Sequence, residues 1–170
     1  MKYLAQVLAY GAFMLLVGVF SAWPDFALRK AGEGKVTLAF SHAGQLLGEC
    51  RQLSQEELQA LPPNMRNPLD CPRGRHDVVV SFVVDGEEVF SRAMPPTGVW
   101  GDGEASIYHR LPMAGGAHSV FIGMADSGRE SGFDYELDTA LDVRDGDHIV
   151  IEFDALARKF ILKGSVDAID

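Results

Sequence analysis

The chain has 170 residues, 47% of them hydrophobic and 23% charged, with a net charge of -9. That length allows one core of ordinary size beside a membrane segment, and the composition is globular, with no low-complexity tract and no repeat. The acidic balance excludes a nucleic-acid footprint and electrostatic attachment to anionic lipid, because both need clustered Lys and Arg.

Residues 3–23 carry no charge. About twenty helical residues at about 1.5 Å each span about 30 Å, the thickness of the hydrocarbon core. Tyr3 and Trp23 fall where the two interfaces would lie, and Pro24 ends the helix. The rival reading is a cleaved secretory signal, with Val19 and Ser21 as the small residues before the cut. A signal's apolar region is shorter, about 7–15 residues, so residues 1–24 are read as a retained anchor. Gly11 and Gly18 lie two helical turns apart on one face, and small faces let membrane helices approach closely. Residues 25–35 form a short juxtamembrane linker, which would keep the following domain near the bilayer.

Cys50 and Cys71 are the only two cysteines. Between them Ser54 and Glu57 form a capping box, Leu53 and Leu58 a hydrophobic staple, and Pro62-Pro63 a stop. A helix of about two turns does not stand alone. A disulfide closing this loop of about twenty residues would contribute about 3 kcal/mol and point to an oxidising compartment, outside the cytoplasm. Two buried thiols or a metal pair are the alternatives, although the spacing is not that of a C-x-x-C site.

Beyond the loop the chain reads as short strands. Val36, Leu38 and Phe40 alternate over 35–42, and the β-branched run at 77–84 suits a central strand. Asp85-Gly86 is a hairpin signal leading into 88–94. Strands follow at 105–111 and 117–125, with a hairpin turn expected over 112–116. Residues 133–143 alternate most clearly, 148–153 follow Asp145-Gly146, and 159–163 form a last edge. The expected fold is mainly β: a transmembrane helix, then an immunoglobulin-like β-sandwich over 36–163 with one short helix in a disulfide-closed loop. A closed barrel is the runner-up, and 164–170 are a tail.

Chemistry-bearing motifs are sparse. His109, Met113 and His118 cluster around the expected 112–116 hairpin, but its register points the two imidazoles to opposite faces. His42, His76 and His148 are scattered. Ser127 and Ser131 lack an activating motif, and Gly101-Asp102-Gly103-Glu104 reads as a turn rather than a calcium loop. No catalytic, cofactor or metal residue is assigned. The remaining candidates are loops suited to a protein partner: Pro62, Pro63, Asn64, Met65 and Arg66, then Arg73 and Arg75, then Trp100, with Gly11, Gly18 and Trp23 on the helix.

The runs SHAGQ, LPPNMRNPLDCPRGR, VDGEEVFSRAMPPTG, GDGEASIYHRLPMAGGAHSV, DSGRESGFDYE and HIVIEFDA resemble a group of small single-pass proteobacterial membrane proteins with an exported β domain. The resemblance covers residues 36–154. These proteins are associated with haem–copper terminal oxidases of the high-affinity C family, and they have no assigned catalytic residues to carry over. The resemblance implies a non-catalytic accessory subunit or assembly factor of a respiratory complex in the inner membrane, with its C-terminal domain in the periplasm. The alternative expectation is a periplasmic copper carrier for oxidase maturation.

Overall fold

The computed structural model describes residues 2–23 and 31–164, in two compact units, Met1–Ala31 and Gly32–Asp170. In the first unit α1 (Lys2–Ala22) is one unbroken helix, long and apolar enough to cross a membrane. None of its side chains is buried, and a Cβ added at Gly11 or Gly18 would meet nothing within 4 Å. Pro24, most of the expected linker at 25–35 and the tail beyond 164 lie outside the described residues.

The second unit is built mainly of strands. One sheet holds β1 (Glu33–His42), β6 (Ala105–Ala114), β9 (His148–Asp154) and β10 (Lys159–Gly164), in the order β10-β9-β1-β6. The other holds β4 (Val78–Val84), β5 (Glu87–Met94), β7 (Gly116–Ala125) and β8 (Tyr135–Val143), in the order β5-β4-β7-β8. Pairing is antiparallel except between β1 and β9, where Lys35 to Leu38 run parallel beside His148 to Ile151.

Alternation puts one face of each strand inside. Val36 and Leu38, with Ile149 and Ile151, meet Val80, Phe82, Val120, Ile122 and Leu141 from the opposite sheet in a single core. At about 1.5–3 kcal/mol for each large apolar side chain removed from water, this layer is the main source of stability. The central place of β4 follows from its β-branched run, which packs on both neighbours.

The two open sides of the sandwich differ. Between β8 and β10 the gap is filled by rings. Tyr135 and Phe153 lie 4.9 Å apart, Phe153 and Phe160 5.2 Å, and Phe40 and Phe160 5.8 Å. Between β5 and β6 a cleft remains, floored by Phe90 against the His109 ring at 4.4 Å.

The hairpin expected over 112–116 does not form. Strand β6 continues through Pro112 to Ala114 on β1, while β7 starts at Gly116 in the other sheet. Gly115 is the crossing point: its N–H donates to Gly32 O at 2.8 Å, and a Cβ there would lie 3.1 Å from that oxygen. His109, Met113 and His118 are therefore separated: His109 stacks on Phe90, Met113 is core, and His118 reaches Asp85 from β7.

The Asp85-Gly86 turn forms as its residues demand, with both at positive φ, 53° and 83°. Asp85 accepts from Ser119 N–H at 2.9 Å and bonds His118 Nδ1 at 2.7 Å, tying the turn to β7. The hydrogen bond to His118 is the main cause that holds the Asp85 carboxyl below its usual range. Asp85 in turn raises His118 above its ordinary 6.5, chiefly by the same hydrogen bond. A raised imidazole stabilises the fold fully below its unfolded value, and that gain is lost as pH climbs through the folded value. Denaturant midpoints measured from about pH 5.5 to about pH 8.5 should therefore fall more steeply for the native chain than for His118→Gln. Parallel curves would show that the pair contributes nothing.

Candidate functional site

Between β1 and β4 the chain leaves the sandwich and returns after 35 residues, at 43–77. The excursion starts in one sheet and ends in the other. Its two legs pair antiparallel in one unbroken register. His76 N–H donates to Gln45 O at 2.8 Å, Leu46 bridges Arg75, and Leu47 N–H donates to Gly74 O at 2.9 Å. Cys50 and Cys71 come next as a cross-strand disulfide. Beyond them β2 (Arg51–Gln52) pairs with β3 (Leu69–Asp70), and Leu53 N–H donates to Pro68 O at 2.9 Å. The excursion is a stalk, and the disulfide is its middle rung.

The tip carries α2 (Gln55–Ala60) and a 3₁₀ turn at Pro63–Met65. The capping box is complete: Glu57 N–H donates to Ser54 Oγ, and Ser54 N–H donates to Glu57 Oε2. Arg51 from the first leg donates to Glu57 Oε1 at 2.8 Å. The bond from Arg51, then that from Ser54 N–H, lowers the Glu57 carboxyl to about 2. Its support for the helix is thus complete above the ordinary 4.5 and is lost as pH falls toward 2. Arg66 closes the other end of α2, donating from Nε to Leu61 O at 3.0 Å. Free helix carbonyls at a C-terminus favour such a cation.

None of the residues in α2, the 3₁₀ turn, β2 or β3 is buried. Leu53, Leu61, Met65 and Leu69 line a shallow groove of about 540 Å³ between the legs and the tip helix, with Arg51, Glu57 and Asp70 on its rim. Met65 is 63% exposed and Leu69 49%.

The root of the stalk is held by a part-buried polar cluster centred on Asp126. His42 Nε2, at the end of β1, bonds Asp126 Oδ2 at 2.6 Å, and Gln45 Nε2 donates to Asp126 Oδ1 at 3.0 Å. Asp126 is 2% exposed. Its own N–H and that of Ser127 donate to Asp134, as does the Ser127 hydroxyl, and Arg129 pairs with Asp134 at 2.8 Å. Burial works to raise the Asp134 carboxyl, but these donors outweigh it and hold it low. Ser127 is thus a brace for its loop.

The candidate loop residues divide between the two ends. Pro62, Pro63, Asn64, Met65 and Arg66 are all at the tip. Arg73 and Arg75 are near the root. Arg75 is spent on structure: it donates from Nη1 to Gly44 O at 2.8 Å and from Nε to Asp102 O at 3.0 Å. Arg73 lies 5.8 Å from the ring centre of Trp100, which is 68% exposed. The second leg and the 97–103 loop therefore form one surface, which neither stretch indicates in sequence. The Gly101–Glu104 stretch is a turn, with Gly103 N–H donating to Thr97 O at 2.9 Å.

Sequence reasoning did not find Gln45, Asp126 or the pairing of the legs. The disulfide was the available signal, since a cross-strand bridge sets the register of everything flanking it. The five histidines are dispersed: His148 bonds Thr37 Oγ1 at 3.0 Å, and His76 packs over Gly128. Among the described residues no three His, Cys, Asp or Glu side chains gather as a metal would need. No protein-family model and no characterised protein matches this sequence.

The two ends of the stalk should respond differently to mutation. Cys50→Ser with Cys71→Ser should remove amide-exchange protection between residues 50 and 71 while β4 and β7 keep theirs. Equal loss in the sandwich would show that the disulfide serves the core. Asp126→Ala leaves His42 and Gln45 without their buried acceptor, and should cost roughly 3 kcal/mol in global unfolding. A loss under about 1 kcal/mol would show that the cluster is not a structural tie.

Proposed function

We propose that this chain is a non-catalytic, single-pass accessory or assembly subunit of a larger membrane complex, docking through its stalk. The carrying observation is a stalk whose tip buries no residue yet is specified at every level. Ordering its backbone costs about 1–2 kcal/mol per residue, and no core burial at the tip repays that. A cross-strand disulfide, a full capping box and the Arg51 and Arg66 bonds offset part of that cost. What they hold in place is a rigid tip with exposed Met65, an interface-enriched residue type, beside Leu69 and paired prolines.

The helix supports membrane attachment by its length and apolarity. The disulfide supports an oxidising compartment for the β domain, hence the periplasm of a bacterial inner-membrane protein. The bare Gly11 and Gly18 face suits contact with a partner helix. The resemblance over 36–154 names the partner class as haem–copper terminal oxidase subunits. We read the sandwich as immunoglobulin-like in the broad sense, with the parallel β1–β9 pair as its departure from a purely antiparallel plan.

Mild-detergent purification of the native chain followed by mass spectrometry should recover stoichiometric oxidase subunits. Met65→Asp with Leu69→Asp should release them without changing the thermal midpoint. Recovery of a lone monomer from native membranes would overturn the proposal.

A further inference from the structure

The cleft between β5 and β6 is unlike the ring-filled side opposite. Each strand is the last of its sheet, so each presents unpaired backbone N–H and C=O groups there. Natural edges are normally blunted, and both of these are blunted elsewhere. A bulge interrupts β5 opposite Phe82 and Val83, and Pro112 interrupts the far half of β6. Along the cleft, around 91–94 and 106–109, both edges are regular, and what guards β5 there is a charge, Arg92, with Pro95 just past its end. An edge guarded by a cation disfavours an apolar or basic strand and admits an acidic one, and beside a cavity of about 390 Å³ it is suited to an extended polypeptide.

The side chains define that polypeptide further. Arg92 pairs in register with the fully buried Val80, so it lies on the inward face of β5, at the cleft mouth. Arg92 makes no ion pair or hydrogen bond within the described residues. Its neighbours on the same face, Phe90 and Met94, are apolar and also line the cleft. Arg110 and Tyr108 on β6 are engaged with each other, Nε to hydroxyl at 2.6 Å, which leaves Arg92 as the unspent cation.

We propose that this edge of β5 receives an extended segment of a partner protein by strand addition, with a carboxylate opposite Arg92 and an apolar residue two positions away beside Phe90 or Met94. Directly opposed side chains on an added strand lie close enough for the ion pair to form, and alternate positions share a face. The recognised pattern is an acidic residue and an apolar residue separated by one unconstrained position. This inference does not depend on the stalk or on the identity of the complex.

The test uses the full chain in detergent micelles and a capped, fluorescein-labelled heptapeptide. In the peptide, threonine alternates with valine, glutamate and valine. Fluorescence polarisation should show saturable binding. Glutamine in place of the glutamate, or Arg92→Gln in the protein, should each weaken it about tenfold or more, and the two changes together should cost no more than either alone. Arg92→Glu should prefer a lysine peptide, a reversal that a folding defect would not produce. Backbone N-methylation of the peptide should abolish binding. Binding indifferent to Arg92 or to N-methylation, or no binding to any of the peptides, would overturn the proposal.

Discussion

The bond between His42 and Asp126 joins the two sheets at the end where the chain leaves the sandwich. His42 ends β1 in one sheet, and Asp126 follows β7 in the other. Asp126 also holds Gln45, the first rung of the stalk, through its side chain and its carbonyl. A buried carboxylate must be bonded or be costly, and this one is bonded on one oxygen by His42 and on the other by Gln45. The sheets, the root of the stalk and the 126–134 loop are thereby one polar unit.

From that root the stalk is a sequence of local solutions to one problem. Paired legs with no core beneath them lose little when they fray, so each level needs its own tie. Arg75 bridges the root to Gly44 and Asp102, the disulfide ties the middle, and Arg51 with Glu57 ties the tip helix to the first leg. The tip ties are exposed and charged, hence sensitive to salt and acid. The root is centred on a buried carboxylate and the disulfide is covalent, so both are screened less by salt. A rigid tip enters an interface with less entropy to lose.

The sandwich contributes a different kind of surface. Aromatic packing closes it between β8 and β10, where Phe153 lies against both Tyr135 and Phe160. Phe90 and His109 close only the floor on the other side. One fold therefore carries two separate features free to meet other chains, a projecting tip and an unpaired edge.

The strands themselves were legible in the sequence, because alternation records which face each residue shows to the core. Asp85-Gly86 was legible as a turn because its backbone demands are local. The capping box and the disulfide were legible for the same reason, the first within four residues and the second by being the sole cysteine pair. The sequence by itself thus determined the elements, the apolar helix and the bridge. Tertiary structure alone decided the pairings between strands that no tight turn joins. It sent β6 and β7 to opposite sheets across Gly115, where a hairpin had been expected, because β1 and β4 compete for their edges. It also turned residues 45–47 and 74–76, which have no strand pattern, into paired legs. Their order comes from backbone bonds and the buried Asp126 rather than from burial of their own side chains, and such bonds leave no periodicity to read.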